Sequence, residues 1–235
     1  MKRLNADWLK TPQTQVVIAA LEAARPRCAR FVGGCVRNAI MGREVDDIDI
    51  ATQLEPEATL AALEAAGIRA IPTGVEHGTV TAIVDHVPFE ITSLRRDVET
   101  DGRRAVVAFT EDWAEDAQRR DFRLNALYAA PDGEVFDPVG GGYEDALAGR
   151  VIFIGEADER LREDYLRILR FFRFNAWYGA GIDEEGLAAC ARQRDGLQQI
   201  AKERIWKEFK KLLAAPEPVA AVEAMMASGV LGHIL

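Results

Sequence analysis

The apolar positions of this chain change period several times in the first hundred residues, and each change marks an element. Over residues 13–24, Val16, Val17, Ala20, Leu21 and Ala24 recur at helical spacing, which predicts an amphipathic helix ending before Pro26. Residues 29–32 form a short apolar run suited to a strand. Gly33-Gly34 breaks that run, and residues 35–41 read as a helical segment stopped by Gly42. Asp47-Ile48-Asp49-Ile50 then alternates acid and apolar with the period of a strand, placing both carboxylates on one face and both isoleucines on the other. Residues 56–66 predict a helix closed by Gly67, residues 68–71 a short strand, and residues 79–84 and 87–94 two strands joined by a tight turn.

Further along, residues 115–129 have the composition of a helix and place Arg119, Arg120 and Asp121 ahead of Phe122, Leu124 and Leu127. Residues 136–139, followed by three glycines, read as a strand end and a turn, and residues 151–154 as a last short strand. Beyond that point the period is helical, over 156–161, 164–178, 184–192, 202–213 and 219–226. The expected fold class is therefore α+β: a mixed-sheet domain over residues 1–155 followed by an all-helical region over 156–235.

Composition narrows the class. A chain of 235 residues with 49% hydrophobic and 29% charged content reads as a globular protein. No apolar run approaches the length of a membrane helix and the start, MKRLNADWLK, has no apolar leader, so a cytoplasmic protein with no membrane partner is expected. Cys28, Cys35 and Cys190 are odd in number and lack CxxC spacing, which argues against a disulfide framework or a zinc site. The net charge of −9 is at odds with a uniformly basic nucleic-acid surface. Arginines nonetheless cluster at 95/96, 103/104, 119/120/123 and between 160 and 173, a pattern that fits salt bridges and a nucleic-acid groove alike.

Candidate chemistry concentrates in residues 30–52, RFVGGCVRNAIMGREVDDIDIAT. Glycines at a strand-to-helix junction let a phosphate approach the backbone, and Arg37 in the first helical turn could reach the same anion with a fork of donors. Two carboxylates at i and i+2 on a strand suit Mg²⁺, which takes few protein carboxylates together with water and substrate phosphates. Taken alone, Asp46, Asp47 and Asp49 fit a solvated turn better than a site; the upstream Gly-Gly-x-x-Arg is what reverses that balance.

This stretch resembles the signature of the nucleotidyltransferase superfamily, of polymerase-β-like fold, in the branch of the bacterial-type CCA-adding enzymes and poly(A) polymerases. The resemblance implies a head domain and a helical neck and partial body. It implies two Mg²⁺ held by Asp47 and Asp49, with Glu90 as the third catalytic carboxylate, in the segment GTVTAIVDHVPFEITSLRRD. Gly34, Arg37 and Arg120 would then hold the triphosphate. The segment EDAQRRDFRLNALYA is similar to the family's Arg-Arg-Asp-Phe-Thr-x-Asn-Ala motif, which assigns Asp121 and Asn125 to the site and sugar. Glu163, Asp164, Arg167, Arg170 and Arg173 fall in register with its Glu-Asp-x-x-Arg-x-x-Arg motif, in which the Asp and first Arg select CTP and then ATP. Residues 94–105 correspond to the family's flexible loop near the active site, and residues 201–213 to its next helical motif.

The reaction implied is attack by the 3′-hydroxyl of tRNA on the α-phosphate of CTP or ATP, with release of pyrophosphate. The sequence departs from the pattern at two positions, Asn38 in place of the usual Asp and Arg123 in place of the usual Thr. Poly(A)-type or single-nucleotide tailing, a non-catalytic RNA-binding paralogue and a small-molecule transferase remain as alternative readings.

Overall fold

The structure, a computed structural model, describes residues 2–97 and 107–235. By their contacts the residues form two compact units, 1–120 with 125–140 and 121–124 with 141–235.

The first unit opens on helix α1 (Pro12–Ala24), where the Thr11 hydroxyl accepts from the Thr14 N–H at 3.3 Å and Pro12 occupies the first turn, which needs no donor. There follow β1 (Ala29–Val32), α2 (Gly34–Ile40), β2 (Ile48–Thr52), α3 (Pro56–Ala65), β3 (Arg69–Gly74), β4 (Thr79–Val84) and β5 (Val87–Ser93). After them come β6 (Arg95–Asp97), β7 (Val107–Phe109), α4 (Trp113–Gln118), β8 (Tyr128–Ala129) and β9 (Val135–Phe136). The main sheet has the order β3-β4-β5-β2-β1-β8-β9. Its β2–β5 pairing is parallel and the others are antiparallel, so the sheet is mixed, as expected.

Strand alternation gives that sheet two unlike faces. Phe31, Ile50, Ile91 and Val80 are successive register partners and are buried to 1% exposure or less. Helices α1 and α3 pack on the sheet through Val17, Leu21 and Leu63, all fully buried, and each such side chain contributes roughly 1.5–3 kcal/mol. The alternate positions, Arg30, Asp49, Glu90, Thr92 and Tyr128, carry polar groups on the opposite face. β6 and β7 pair as a separate two-stranded ribbon; residues 98–106, and with them most of the loop expected over 94–105, lie outside the described residues.

Three local expectations are corrected. The single helix predicted over 115–129 is instead α4, a 3₁₀ turn at Arg123–Asn125 and strand β8. Phe122, Leu124 and Leu127 are all fully buried, so their spacing records burial on every side rather than one helical face. The strand predicted over 151–154 reduces to a single bridge between Phe122 and Phe153. Strand β2 begins at Ile48, which leaves Asp47 in the preceding loop.

The second unit is helical: α5 (Gly142–Ala148), α6 (Ala157–Glu163), α7 (Leu166–Tyr178), α8 (Glu184–Gln193), α9 (Lys202–Leu213) and α10 (Val219–Ala227). Sequence spacing did not reveal α5. α7 packs against α9 and α10, and α6 against α8. Its aromatic centre gathers Phe122, Phe153, Phe171 and Phe174, with ring centroids 4.9, 6.3 and 5.3 Å from Phe122 in turn. Because Phe153 bridges to Phe122 and joins this cluster, residues 141–155 group with the helices, whereas the sequence pattern placed the change of architecture at 155.

Candidate active site

The parallel register of β2 and β5 sets Asp49 directly beside Glu90. Neighbouring strands lie about 4.8 Å apart, and register partners project to the same face, so the two carboxylates are neighbours on the polar side of the sheet. Burial, then the charges of Glu90 and Asp47, push the Asp49 carboxyl up to about 6, while Arg120 and Arg37 pull against that rise. Asp47, Asp49, Glu90, Arg37 and Arg120, named from the sequence for one site, thus share one electrostatic environment.

The donor set here is oxygen. Cys35 is buried, its thiol is pushed up to about 11 chiefly by burial, and its Sγ contacts the carbonyls of Val32 at 3.4 Å and Asp49 at 3.7 Å. No group of three His, Cys, Asp or Glu side chains among the described residues is gathered closely enough to hold an ion unaided. That arrangement fits Mg²⁺, which completes its shell with water and substrate phosphates, better than it fits Zn²⁺.

Beside the strand of Asp49, at the end of β1, is a glycine turn with an arginine near each glycine. Gly33 has φ +69° and ψ −116°, a backbone region that other residues adopt only with strain, and α2 starts immediately after it. A Cβ on Gly33 would stand 3.6 Å from Arg120 Nη1, and one on Gly34 would stand 3.8 Å from Arg37 Nη2. Arg37 is itself held: its Nη1 donates to Asn125 Oδ1 at 2.6 Å, and its Nε and Nη2 donate to Asn38 Oδ1 at 3.1 and 2.9 Å. Asn38 also donates through Nδ2 to the Glu44 carbonyl at 2.8 Å, which the carboxylate usual in the family could not do. The departure at Asn38 therefore has a local structural use.

The remaining named residues belong to the second unit. Asp121 accepts from the Phe122 N–H at 2.9 Å and pairs with Arg170, whose Nε donates at 2.7 Å. Arg123 forms an ion pair with Asp145 at 3.9 Å and lies over Gly141. The helix expected from residue 164 starts at Leu166, with Asp164 extended before it and accepting from the Leu166 N–H at 3.0 Å. Arg167 donates to the Arg160 carbonyl at 2.8 Å and pairs with Glu163, and Asp164 has Arg204 as its ionic partner. Asp164 and Arg167, read from the sequence as part of one helix, thus also have separate ionic partners, Arg204 and Glu163. Arg173 is drawn to Glu208 of α9 at 2.7 Å, in a largely buried ion pair that joins two helices.

Sequence reasoning overlooked Asp116 and Tyr128, which together hold Arg120. The Asp116 carboxylate, 1% exposed, accepts from Arg119, Arg120 and the Tyr128 hydroxyl. The available signal was an acid four residues before Arg120 on a helix, a spacing that brings side chains together.

Comparison with known proteins places this geometry. The profile of the Poly A polymerase head domain matches residues 29–152, and that of the probable RNA and SrmB-binding site of polymerase A matches residues 181–235. The human mitochondrial CCA tRNA nucleotidyltransferase 1 is 47% identical over 191 residues, covering 78% of this chain and 43% of that protein. The CCA-adding enzyme of Bacillus cytotoxicus is 38% identical over 209 residues, covering 88% of this chain and 51% of its own. The chain thus spans about half the length of the curated relatives it matches. Among solved structures, the Bacillus stearothermophilus CCA-adding enzyme in complex with CTP superposes with a TM-score of 0.82 at 32% identity, over 94% of this chain and 53% of that one. From its glycine turn and paired carboxylates to its profile match, the chain belongs to the poly(A) polymerase head-domain family, the family of the bacterial-type CCA-adding nucleotidyltransferases.

Proposed function

We propose that this protein is a Mg²⁺-dependent nucleotidyltransferase that adds C and A from CTP and ATP to the 3′ end of tRNA, releasing pyrophosphate. The observation that carries this reading is the Asp49–Glu90 register with Asp47 close by, on the strand next to the one that ends in the Gly33-Gly34 turn and its two arginines. Relatives named as CCA-adding enzymes, one of them solved with CTP, support the choice of nucleotides and acceptor. On this reading residues 1–155 act as the catalytic head and 156–235 as neck and partial body.

Asp47 and Asp49 would hold the metal, with Glu90 beside them. Two bound Mg²⁺ would supply charge neutralisation around the α-phosphate and an acidified acceptor hydroxyl. The chain's own contribution is orientation: Gly33 and Gly34 keep the turn open to phosphate oxygens, and Arg37 and Arg120 meet the triphosphate with guanidinium groups already fixed by Asn125, Asn38 and Asp116. Asp121 and Asn125 would serve the site and sugar, Asp121 with Arg170 locked onto it. Asp164 and Arg167 would read the base edge, Arg167 being oriented in advance by Glu163. Arg173, committed to Glu208, would support α7.

The test is incorporation of each labelled nucleotide, in competition at equal concentration, into tRNA ending at the discriminator base, at C or at CC. Successive addition of C, C and A by the wild type is expected, and Arg167→Ala should relax the ratio of incorporated nucleotides, a good bidentate contact being worth about 1–3 kcal/mol of discrimination. Repeated A addition to any RNA end would point to untemplated tailing instead. An unchanged ratio in the variant would remove Arg167 from base selection.

A further inference from the structure

We propose that Asp116 is a positioning residue for the triphosphate: its carboxylate holds Arg120 over the Gly33-Gly34 turn and ties that arginine to the foot of the β6–β7 ribbon. The inference rests on the reading above, in which Arg120 meets the triphosphate.

Asp116 lies on α4, one turn before Arg120, and its two oxygens serve different partners. Oδ2 accepts from Arg120 Nε at 3.3 Å and Nη2 at 3.0 Å, and from the Tyr128 hydroxyl at 2.6 Å. Oδ1 accepts from Arg119 Nε at 2.9 Å, from Arg119 Nη2 at 2.7 Å and from the backbone N–H of Arg95 at 3.3 Å. Arg119 Nε also donates to the Arg95 carbonyl at 3.0 Å, so both backbone groups of the first residue of β6 are fastened here. Burial alone would raise the carboxyl; Arg120, Arg119 and the Tyr128 hydroxyl outweigh it and hold the group down to about 2.

The consequence for Arg120 is geometric. Asp116 accepts from Nε and Nη2, Nε also donates to the Tyr128 hydroxyl at 3.3 Å, the Tyr128 ring centroid lies 5.4 Å from the guanidinium carbon, and Nη1 stands over Gly33. A long arginine side chain is rich in rotamers, and a guanidinium fixed during folding does not lose that freedom again when an anion binds. A buried ion pair serving packing alone could be built anywhere in the core. This one aims its third nitrogen at the glycine turn and shares its carboxylate with the ribbon that enters and leaves residues 98–106.

The test is calorimetric titration of the whole chain with inorganic triphosphate, comparing wild type, Arg120→Gln, Asp116→Asn and the double variant, with thermal midpoints recorded alongside. Asp116→Asn should weaken binding by about tenfold, and in the Arg120→Gln background the same change should add less than about twofold. A folded Asp116→Asn protein that binds as wild type does overturns the inference, as does a further drop of about tenfold on adding Asp116→Asn to Arg120→Gln. Should Asp116→Asn alone not fold, Asp116→Glu, which keeps the charge and shifts it by one methylene, takes its place in the cycle, with wild-type affinity again overturning the inference. An Arg120→Gln protein with wild-type affinity would instead remove Arg120 from the triphosphate site and overturn the parent reading as well. Failure at Asp116 with the Arg120 effect intact leaves that reading standing.

Discussion

Gly33, at φ +69° and ψ −116°, is where one residue type decides whether the site can form. A side chain there would meet only ordinary contacts, 3.6 Å to Arg120 Nη1, so the penalty for Gly33→Ala is backbone strain of about 1–3 kcal/mol. Gly34 has no such φ, and Gly34→Ala should cost well under about 1 kcal/mol; urea titration of the two variants checks the contrast. Asp116 gives a second prediction. Its folded carboxyl lies at about 2 against an ordinary 3.8, so its stabilisation is complete above about pH 4 and is lost as pH falls through about 2. The stability gap between wild type and Asp116→Asn should therefore narrow by on the order of 2 kcal/mol across that window, read from denaturant midpoints at successive pH values; a constant gap would mean the carboxyl is not depressed. The glycine turn and Asp49 were legible in the sequence because their neighbours in the chain are also their neighbours in space. Asp116 was not, since its worth depends on Tyr128 and Arg95, which other elements deliver.

Among the elements, β4, β5 and the helices α8 and α9 follow their hydrophobic period closely, because each buries one face and leaves the other more open. The segment from Glu115 to Ala129 defeats that rule. Its first part is a helix, its centre passes into the second unit as Asp121–Leu124, and its end joins the sheet as β8. A residue buried on all sides has no preferred period to display. Phe122 makes the point measurable: it is fully buried between Phe153, Phe171 and Phe174, and Phe122→Ala should cost about 3–5 kcal/mol. Leu147, 60% exposed on α5, should lose less than about 0.5 kcal/mol on the same truncation. Equal and small losses in thermal or urea unfolding would mean that the aromatic cluster does not hold residues 121–124 in the helical unit.

At the scale of the whole molecule, net charge does not report local charge. A chain of −9 places Arg37 and Arg120 around one glycine turn, next to a carboxylate, Asp49, that burial and then the charges of Glu90 and Asp47 keep high. Many of the other acids are paired locally: Arg25–Glu111 and Arg192–Asp158, for example, are ion pairs at least partly open to solvent, and exposed pairs contribute about 0–1 kcal/mol each. Among the described residues no helix is long and apolar enough to cross a membrane. The sheet order could not be read from the sequence, because the parallel neighbourhood of β2 and β5 joins strands separated by α3, β3 and β4; only the family resemblance pointed to Glu90. The most direct test of the account is the Mg²⁺-dependent rate of nucleotide transfer to tRNA by Asp47→Ala and Asp49→Ala, with thermal midpoints measured on the same samples. The account predicts a loss on the order of a thousandfold in each variant with the fold retained; either variant keeping more than about a tenth of the wild-type rate would contradict it.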